Sequence, residues 1–89
     1  MIIKGYELRM TCRVCPEQYD VYKDGAQVGY LRLRHGCFSA EYPDCGGEMV
    51  YYTEDCDGDG AFYSNERDLF LTEAINAIDS RISGQESQQ

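Results

Sequence analysis

Short segments rich in alternating, β-branched or aromatic residues, separated by Xaa-Gly pairs, are the feature that most limits what this chain can fold into. Residues 19–23, 27–33 and 37–42 have this character, and Asp24-Gly25 and His35-Gly36 separate them. Such pairs favour two-residue hairpin turns, because glycine adopts positive φ without steric cost. The sequence therefore predicts a three-stranded antiparallel meander.

Two further strands are predicted on either side of this meander. Residues 2–10 form one of them, with Tyr6, Leu8 and Met10 on the same face. Residues 48–53 form the other, because they contain an apolar and aromatic run typical of strands. We therefore expect an antiparallel sheet of four or five strands.

One helix is predicted in the last third of the chain. It follows Ser64-Asn65, which can cap a helix, and Gly84 is its stop signal. Apolar residues recur there at the spacing of one helical face, namely Leu71, Ala74, Ile75, Ile78 and Ile82. We expect an α+β fold in which this helix packs on one face of the sheet. Residues 1–84 would form a single compact domain, and residues 85–89 a disordered polar tail.

Charge is distributed very unevenly along the 89 residues, whose formal net charge is -8. Residues 1–40 hold six Lys/Arg against four Asp/Glu, and residues 41–89 hold two against twelve. The acidic second half repels phosphate backbones, which disfavours direct nucleic-acid binding. We expect instead a protein partner with a basic groove. The alternative is that the acidity only keeps the chain soluble. Without a long apolar run or a signal peptide, we expect a cytoplasmic protein with no membrane partner.

Five cysteines, an odd number, indicate reduced thiols or metal ligands rather than a disulfide framework. Cys12-Arg13-Val14-Cys15 and Tyr42-Pro43-Asp44-Cys45 flank the predicted meander. Residues 12–47 thus resemble a zinc ribbon in which one cysteine of the second knuckle is replaced by tyrosine. The resemblance implies a zinc site. Its ligands would be Cys12, Cys15 and Cys45, completed by Cys37, His35 or Cys56. The alternative is a set of buried, reduced cysteines.

Residues 55–66 contain acidic residues at positions 1, 3 and 5, glycine at position 6 and glutamate at position 12. This spacing resembles the calcium loop of the EF-hand family, although a strand rather than a helix is predicted before it. The resemblance implies calcium bound by Asp55, Asp57, Asp59, the Ala61 carbonyl and Glu66. The alternative is an Asp/Gly turn that leads into a capped helix.

Arg32 and Arg34 share one face of a predicted strand, opposite Leu31 and Leu33, and His35 follows them. Together with Tyr30 they form a candidate binding patch for a phosphate, a nucleotide or a protein partner. Salt bridges to the many carboxylates are the alternative role of these arginines. The chain has one histidine, and Cys37 and His35, two residues apart at a strand end, do not by themselves make a nucleophilic site. We therefore expect a binding protein rather than an enzyme.

Residues 16–22, followed by residues 28–36, resemble segments of small uncharacterised proteins of phages and mobile elements. This resemblance implies an inhibitor that occludes a host defence effector, such as a CRISPR nuclease. Two other hypotheses stand beside it. One is a structural or adaptor module stabilised by calcium or zinc, and the other is a nucleotide or phosphate binder that uses Arg32, Arg34 and His35.

Overall fold

The computed structural model describes residues 1–12 and 16–87. In these ranges the chain forms six strands and then one helix, which confirms the predicted α+β class with one strand more than expected. The elements are β1 (Ile2–Ile3), β2 (Tyr6–Cys12), β3 (Glu17–Lys23), β4 (Ala26–Arg34), β5 (Cys37–Tyr42), β6 (Glu48–Thr53) and α1 (Ser64–Ser87). The strands form one antiparallel sheet in the order β1-β2-β3-β4-β5-β6, so the predicted meander is confirmed.

Three of the connections between strands are two-residue turns with the same backbone conformation. Lys4-Gly5, Asp24-Gly25 and His35-Gly36 all have positive φ, between 53° and 85°. This is the conformation of a type I′ turn, whose twist matches that of the flanking strands. The turn at Lys4-Gly5 corrects the prediction of a single strand over residues 2–10. Ile3 and Tyr6 face each other across this turn, so the segment is a hairpin.

The hydrophobic core lies between the sheet and α1. Alternate residues of the central strands point towards the helix, because successive side chains of a strand lie on opposite faces. The fully buried residues of β4 and β5 are Leu31, Leu33, Phe38 and Ala40. From the helix, the predicted apolar face contributes Leu71, Ala74, Ile75 and Ile78, with Ile82 partly buried. On β2, Tyr6 and Leu8 are buried as predicted, but Met10 is 46% exposed.

The helix packs closely against Gly29 of β4. A Cβ atom built on Gly29 would lie 2.5 Å from Cδ1 of Ile78 and 3.3 Å from Cβ of Val21. A side chain at this position would therefore push the helix away from the sheet. Glycine at residue 29 lets α1 pack directly on the strand.

Both ends of α1 differ from the prediction. The helix begins at Ser64, so the predicted cap Ser64-Asn65 lies in its first turn, and the carbonyl of Tyr63 accepts hydrogen bonds from the amides of Glu66 and Arg67. At the other end the helix continues through Gly84 to Ser87. Glycine in an exposed helical turn costs only about 1 kcal/mol, so it need not end the helix. Residues 88–89 of the predicted tail lie outside the described residues. In the described ranges no helix is long and apolar enough to cross a membrane.

Candidate functional site

A pocket of about 520 Å³ lies where the β4–β5 turn, the start of β3 and the loop before α1 meet. It is lined by Pro16, Gln18, Arg32, Arg34, His35, Asp59 and Gly60. Arg32 and Arg34 alternate along β4 with the buried Leu31 and Leu33, so they lie on the face of the sheet away from the core. The structure thus brings the predicted residues Arg32, Arg34 and His35 together in one cavity.

Two backbone hydrogen bonds hold the loop that forms the far wall of this pocket. The amide of Gly36 donates to the carbonyl of Asp59 at 2.7 Å, and the amide of Glu17 donates to the carbonyl of Gly60 at 2.7 Å. The first bond joins the loop to the β4–β5 turn, and the second joins it to the start of β3. Asp59 and Gly60 are therefore positioned by the fold.

Arg32 and Arg34 form no ion pair with a carboxylate in residues 1–12 and 16–87. The ion pairs in these ranges are Arg9–Glu7, Arg67–Glu17 and Arg81–Glu48. The absence is notable because the chain contains sixteen Asp and Glu residues. The structure therefore does not support the alternative in which salt bridges occupy these two arginines. Two guanidinium groups on one strand face without a carboxylate partner create a local positive potential in an acidic protein.

Tyr30, the fourth residue of the predicted patch, lies beside the pocket rather than in its lining. Its hydroxyl donates a hydrogen bond to Oε1 of Gln18, which is paired with Arg32 across the sheet. Burial raises the pKa of Tyr30, although the nearby Arg32 acts to lower it, so the phenol keeps its proton at neutral pH. Tyr30 therefore contributes to the site by orienting the Gln18 side chain.

An ion pair between Glu17 and Arg67 joins β3 to α1, and Glu17 also binds the backbone of the same loop at Phe62. The carboxylate of Glu17, only 4% exposed, accepts hydrogen bonds from Nε and Nη2 of Arg67 at 2.9 and 3.2 Å. It also accepts bonds from the amide of Phe62 at 3.0 Å and from the hydroxyl of Tyr19. Burial raises the pKa of Glu17, but the bonds from Arg67, Tyr19 and Phe62 outweigh it and hold the pKa below its usual value.

Sequence reasoning missed this network, because Glu17 and Arg67 are fifty residues apart. The one signal available was the period of two along β3, which places Glu17 on the same face as the buried residues Tyr19 and Val21. A carboxylate on a core-facing position requires a buried partner.

The residues predicted to bind calcium adopt a different arrangement. Both carboxylate oxygens of Glu66 accept backbone hydrogen bonds, from the amides of Asp57 and Gly58 at 2.8 Å and from that of Tyr63 at 3.1 Å. Burial opposes these bonds, but together they hold the pKa of Glu66 below its usual value. The loop thus directs N–H donors at the glutamate, whereas a calcium loop directs oxygens at a cation.

The other predicted calcium ligands are also not gathered around a cation position. Asp55, Asp57 and Asp59 are exposed, and the carbonyl oxygen of Ala61 lies against the position that a Cβ atom on Gly58 would take. Nowhere in the described part of the chain do three His, Cys, Asp or Glu side chains form a group that could hold a metal. The arrangement matches the alternative, an Asp/Gly turn leading into a capped helix. Calcium binding stays a prediction from sequence, which elemental analysis of the purified protein would test.

The predicted zinc ligands are only partly described. Cys15 and the side chain of Cys12 lie outside the described residues, Cys37 is half-buried and Cys45 is exposed. Cys56 is half-buried, and burial together with the charges of Glu66 and Asp55 raises its pKa to about 11. The Cys56 thiol is therefore protonated at neutral pH. Zinc binding also stays a prediction from sequence.

Comparison with known proteins gives no relative from which the role of this site could be inferred. No family model, curated protein or solved structure matches the chain. The residues that line the pocket, and the charges around them, are therefore the basis for proposing what the protein does.

Proposed function

We propose that this protein binds a small ligand that carries an oxyanion, of the phosphate type, in the pocket around Arg32 and Arg34. The observation that carries the proposal is the pair of arginines that line a pocket without a carboxylate partner among the described residues. A planar guanidinium donates two parallel hydrogen bonds to phosphate or carboxylate oxygens. An external anion would supply the partner that the fold does not provide.

The size and composition of the pocket agree with this proposal. Its volume of about 520 Å³ is within the range of small-molecule sites, roughly 300–1,000 Å³. The imidazole of His35 and the amide of Gln18 add further hydrogen-bonding groups beside the two arginines. Along the described wall there is no serine, threonine or cysteine, so these residues offer no hydroxyl or thiol nucleophile. We therefore propose binding rather than catalysis.

Calorimetric titration of the purified protein with inorganic phosphate, pyrophosphate and AMP tests the proposal. At least one of these anions should bind, and Arg32→Gln and Arg34→Gln should each weaken that binding by about tenfold, the cost of losing a charge-assisted hydrogen bond. Arg9→Gln is the matched control, because Arg9 already pairs with Glu7 and with the ring of Tyr22. If none of the anions binds wild-type protein at constant ionic strength, the proposal is wrong.

A second candidate function is the inhibition of a protein partner, such as a defence effector, by occlusion. Strand β6 is the last strand of the sheet, and Met49 and Tyr52 on it are 54% and 49% exposed. An edge strand presents unpaired backbone groups that another chain can bind. The exposed acids Glu54, Asp55 and Asp57 follow directly, which favours a basic partner.

Affinity purification from the source host with the tagged protein tests this second function. A true partner should be enriched with wild-type protein, be lost at high salt and be lost with Met49→Asp. Met10→Asp is the control, because Met10 is similarly exposed, at 46%, on a strand far from β6 in the sheet order. A protein retained by both variants, or by neither, would not be a partner of the β6 edge.

A further inference from the structure

The pocket around Arg32 and Arg34 has two chemically different sides. Arg32, Arg34 and His35 lie on the β4 side, and Asp59 and Gly60 lie on the loop side. Asp59 is the one acidic residue in the described lining. A carboxylate opposite two arginines would repel a simple oxyanion, so it weakens a site that serves only inorganic phosphate.

Asp59 is nevertheless held in the wall by the fold. Its carbonyl accepts the 2.7 Å hydrogen bond from Gly36, and the next residue, Gly60, accepts the 2.7 Å bond from Glu17. The side chain of Asp59 is exposed and has no ion pair in the described ranges. An ionised carboxylate can only accept hydrogen bonds, so it suits a ligand group that donates them, such as a hydroxyl or an amine.

We infer that the ligand of this pocket is a phosphate ester whose organic part carries hydrogen-bond donors, as sugar phosphates and nucleotides do. The phosphate would bind Arg32 and Arg34, and the hydroxyl or amino groups would donate to Asp59. This inference rests on the proposed function of the pocket and makes Asp59 its specificity-determining residue. The volume of about 520 Å³ agrees, because inorganic phosphate alone would fill only a small part of it.

Four probes separate the two sides of the pocket, namely inorganic phosphate, methyl phosphate, ribose 5-phosphate and AMP. Methyl phosphate is an ester without donors on its organic part, so it should bind wild-type protein about as weakly as inorganic phosphate. Ribose 5-phosphate or AMP should bind at least about tenfold more tightly, since a hydrogen bond to a charged group has about this effect on affinity. Calorimetric titration measures all four affinities.

Asp59→Asn should reduce this preference by about tenfold, and it should leave binding of inorganic phosphate unchanged or tighter, because a repulsive charge is removed. Asp57→Asn is the matched control. Asp57 is an exposed acid two residues away in the same loop, outside the pocket lining, so this variant should keep the full preference. Both substitutions leave the backbone bonds of the loop in place, and thermal melting checks that the variants are folded.

The outcomes distinguish this inference from the proposed function. If wild-type protein binds no phosphate compound, the proposed function is wrong and the inference falls with it. If phosphate binds but methyl phosphate equals ribose 5-phosphate and AMP, or if Asp59→Asn keeps the preference, only the inference is overturned. A preference for ribose 5-phosphate that Asp59→Asn removes supports recognition of sugar hydroxyls. A preference for AMP alone that Asp59→Asn removes supports recognition of the amino group of the base.

Discussion

Charged side chains on the two faces of strands β3 and β4 differ in whether the fold provides them with partners. On the covered face, Glu17 meets the guanidinium of Arg67, the amide of Phe62 and the hydroxyl of Tyr19. On the open face, Arg32 and Arg34 have no carboxylate partner among the described residues. Both sets lie on the same two strands and differ only by the alternation of side chains.

The difference separates charges that the fold satisfies from charges that have no carboxylate partner among the described residues. A buried carboxylate without partners is strongly destabilising, so the covered face must satisfy Glu17 internally. A guanidinium near solvent carries no such requirement, because water solvates it until a ligand replaces the water. Substitutions on the covered face should therefore change stability, and those on the open face should change binding.

The largest effect on stability is expected from Arg67→Met, which leaves the carboxylate of Glu17 buried with fewer partners. We expect the free energy of unfolding to fall by about 3 kcal/mol, at the low end for a broken buried pair because the Arg67 side chain is 31% exposed. Urea denaturation measures this change. The control is Arg81→Met, whose pair with Glu48 is much more exposed and should cost less than about 1 kcal/mol.

A smaller loss is expected from Glu66→Gln. This change places an amide NH₂ group where an oxygen now accepts backbone hydrogen bonds from Asp57, Gly58 or Tyr63. The cost should be about 1.5–3 kcal/mol, the usual value for hydrogen bonds to a charged group. Asp68→Asn removes a charge from the same end of α1 at an exposed position and should have little effect. Equal losses in the two variants would mean that these backbone bonds contribute nothing.

Lowering the pH should gradually reduce the free energy of unfolding, because it protonates Glu17 and Glu66. Glu17 and Glu66 both have a pKa below the usual value of 4.5 in the folded protein. Their contribution to stability is therefore present above about pH 4.5, and it is lost as the pH falls through their folded pKa values. Urea denaturation between pH 7 and pH 3 should show this loss, and Glu17→Gln or Glu66→Gln should flatten it. An unchanged slope in both variants would contradict the assignment.

The smallest effect on stability is expected on the open face. Arg32→Gln and Arg34→Gln should change the free energy of unfolding by no more than about 0.5 kcal/mol, because no ion pair is lost. Removing one of two neighbouring positive charges could even stabilise the protein slightly. Thermal melting without added anions measures this change. A loss comparable to that of Arg67→Met would show that these arginines are structural and would remove the distinction between the two faces.

Most of the fold could be predicted from local sequence signals. The turns at Asp24-Gly25 and His35-Gly36 were visible because glycine has a strong local effect on backbone conformation. The turn at Lys4-Gly5 was missed, since lysine is not a usual first residue of such turns. The helix was visible from its apolar spacing, but its last turn was not, because one glycine in an exposed turn costs too little to end a helix.

The candidate site was predicted only in part. The alternation along β4 placed Arg32 and Arg34 on one face, and His35 followed in the turn. The opposite wall could not be predicted, because the loop that carries Asp59 is distant in sequence and is held by single backbone hydrogen bonds. The spacing of residues 55–66 predicts calcium binding, which stays a prediction. The backbone hydrogen bonds that Glu66 accepts from Asp57, Gly58 and Tyr63 could not be read from that spacing.

The sequence by itself determined the central meander, the last strand and the apolar face of the helix, because turn chemistry and side-chain periodicity act over a few residues. Only the tertiary structure decided which charges are satisfied. Whether a carboxylate is matched with an arginine, a set of amides or nothing depends on groups brought together from distant parts of the chain. For this reason Glu17 and Glu66 accept hydrogen bonds from distant groups of the chain, whereas Arg32 and Arg34 have no carboxylate partner among the described residues.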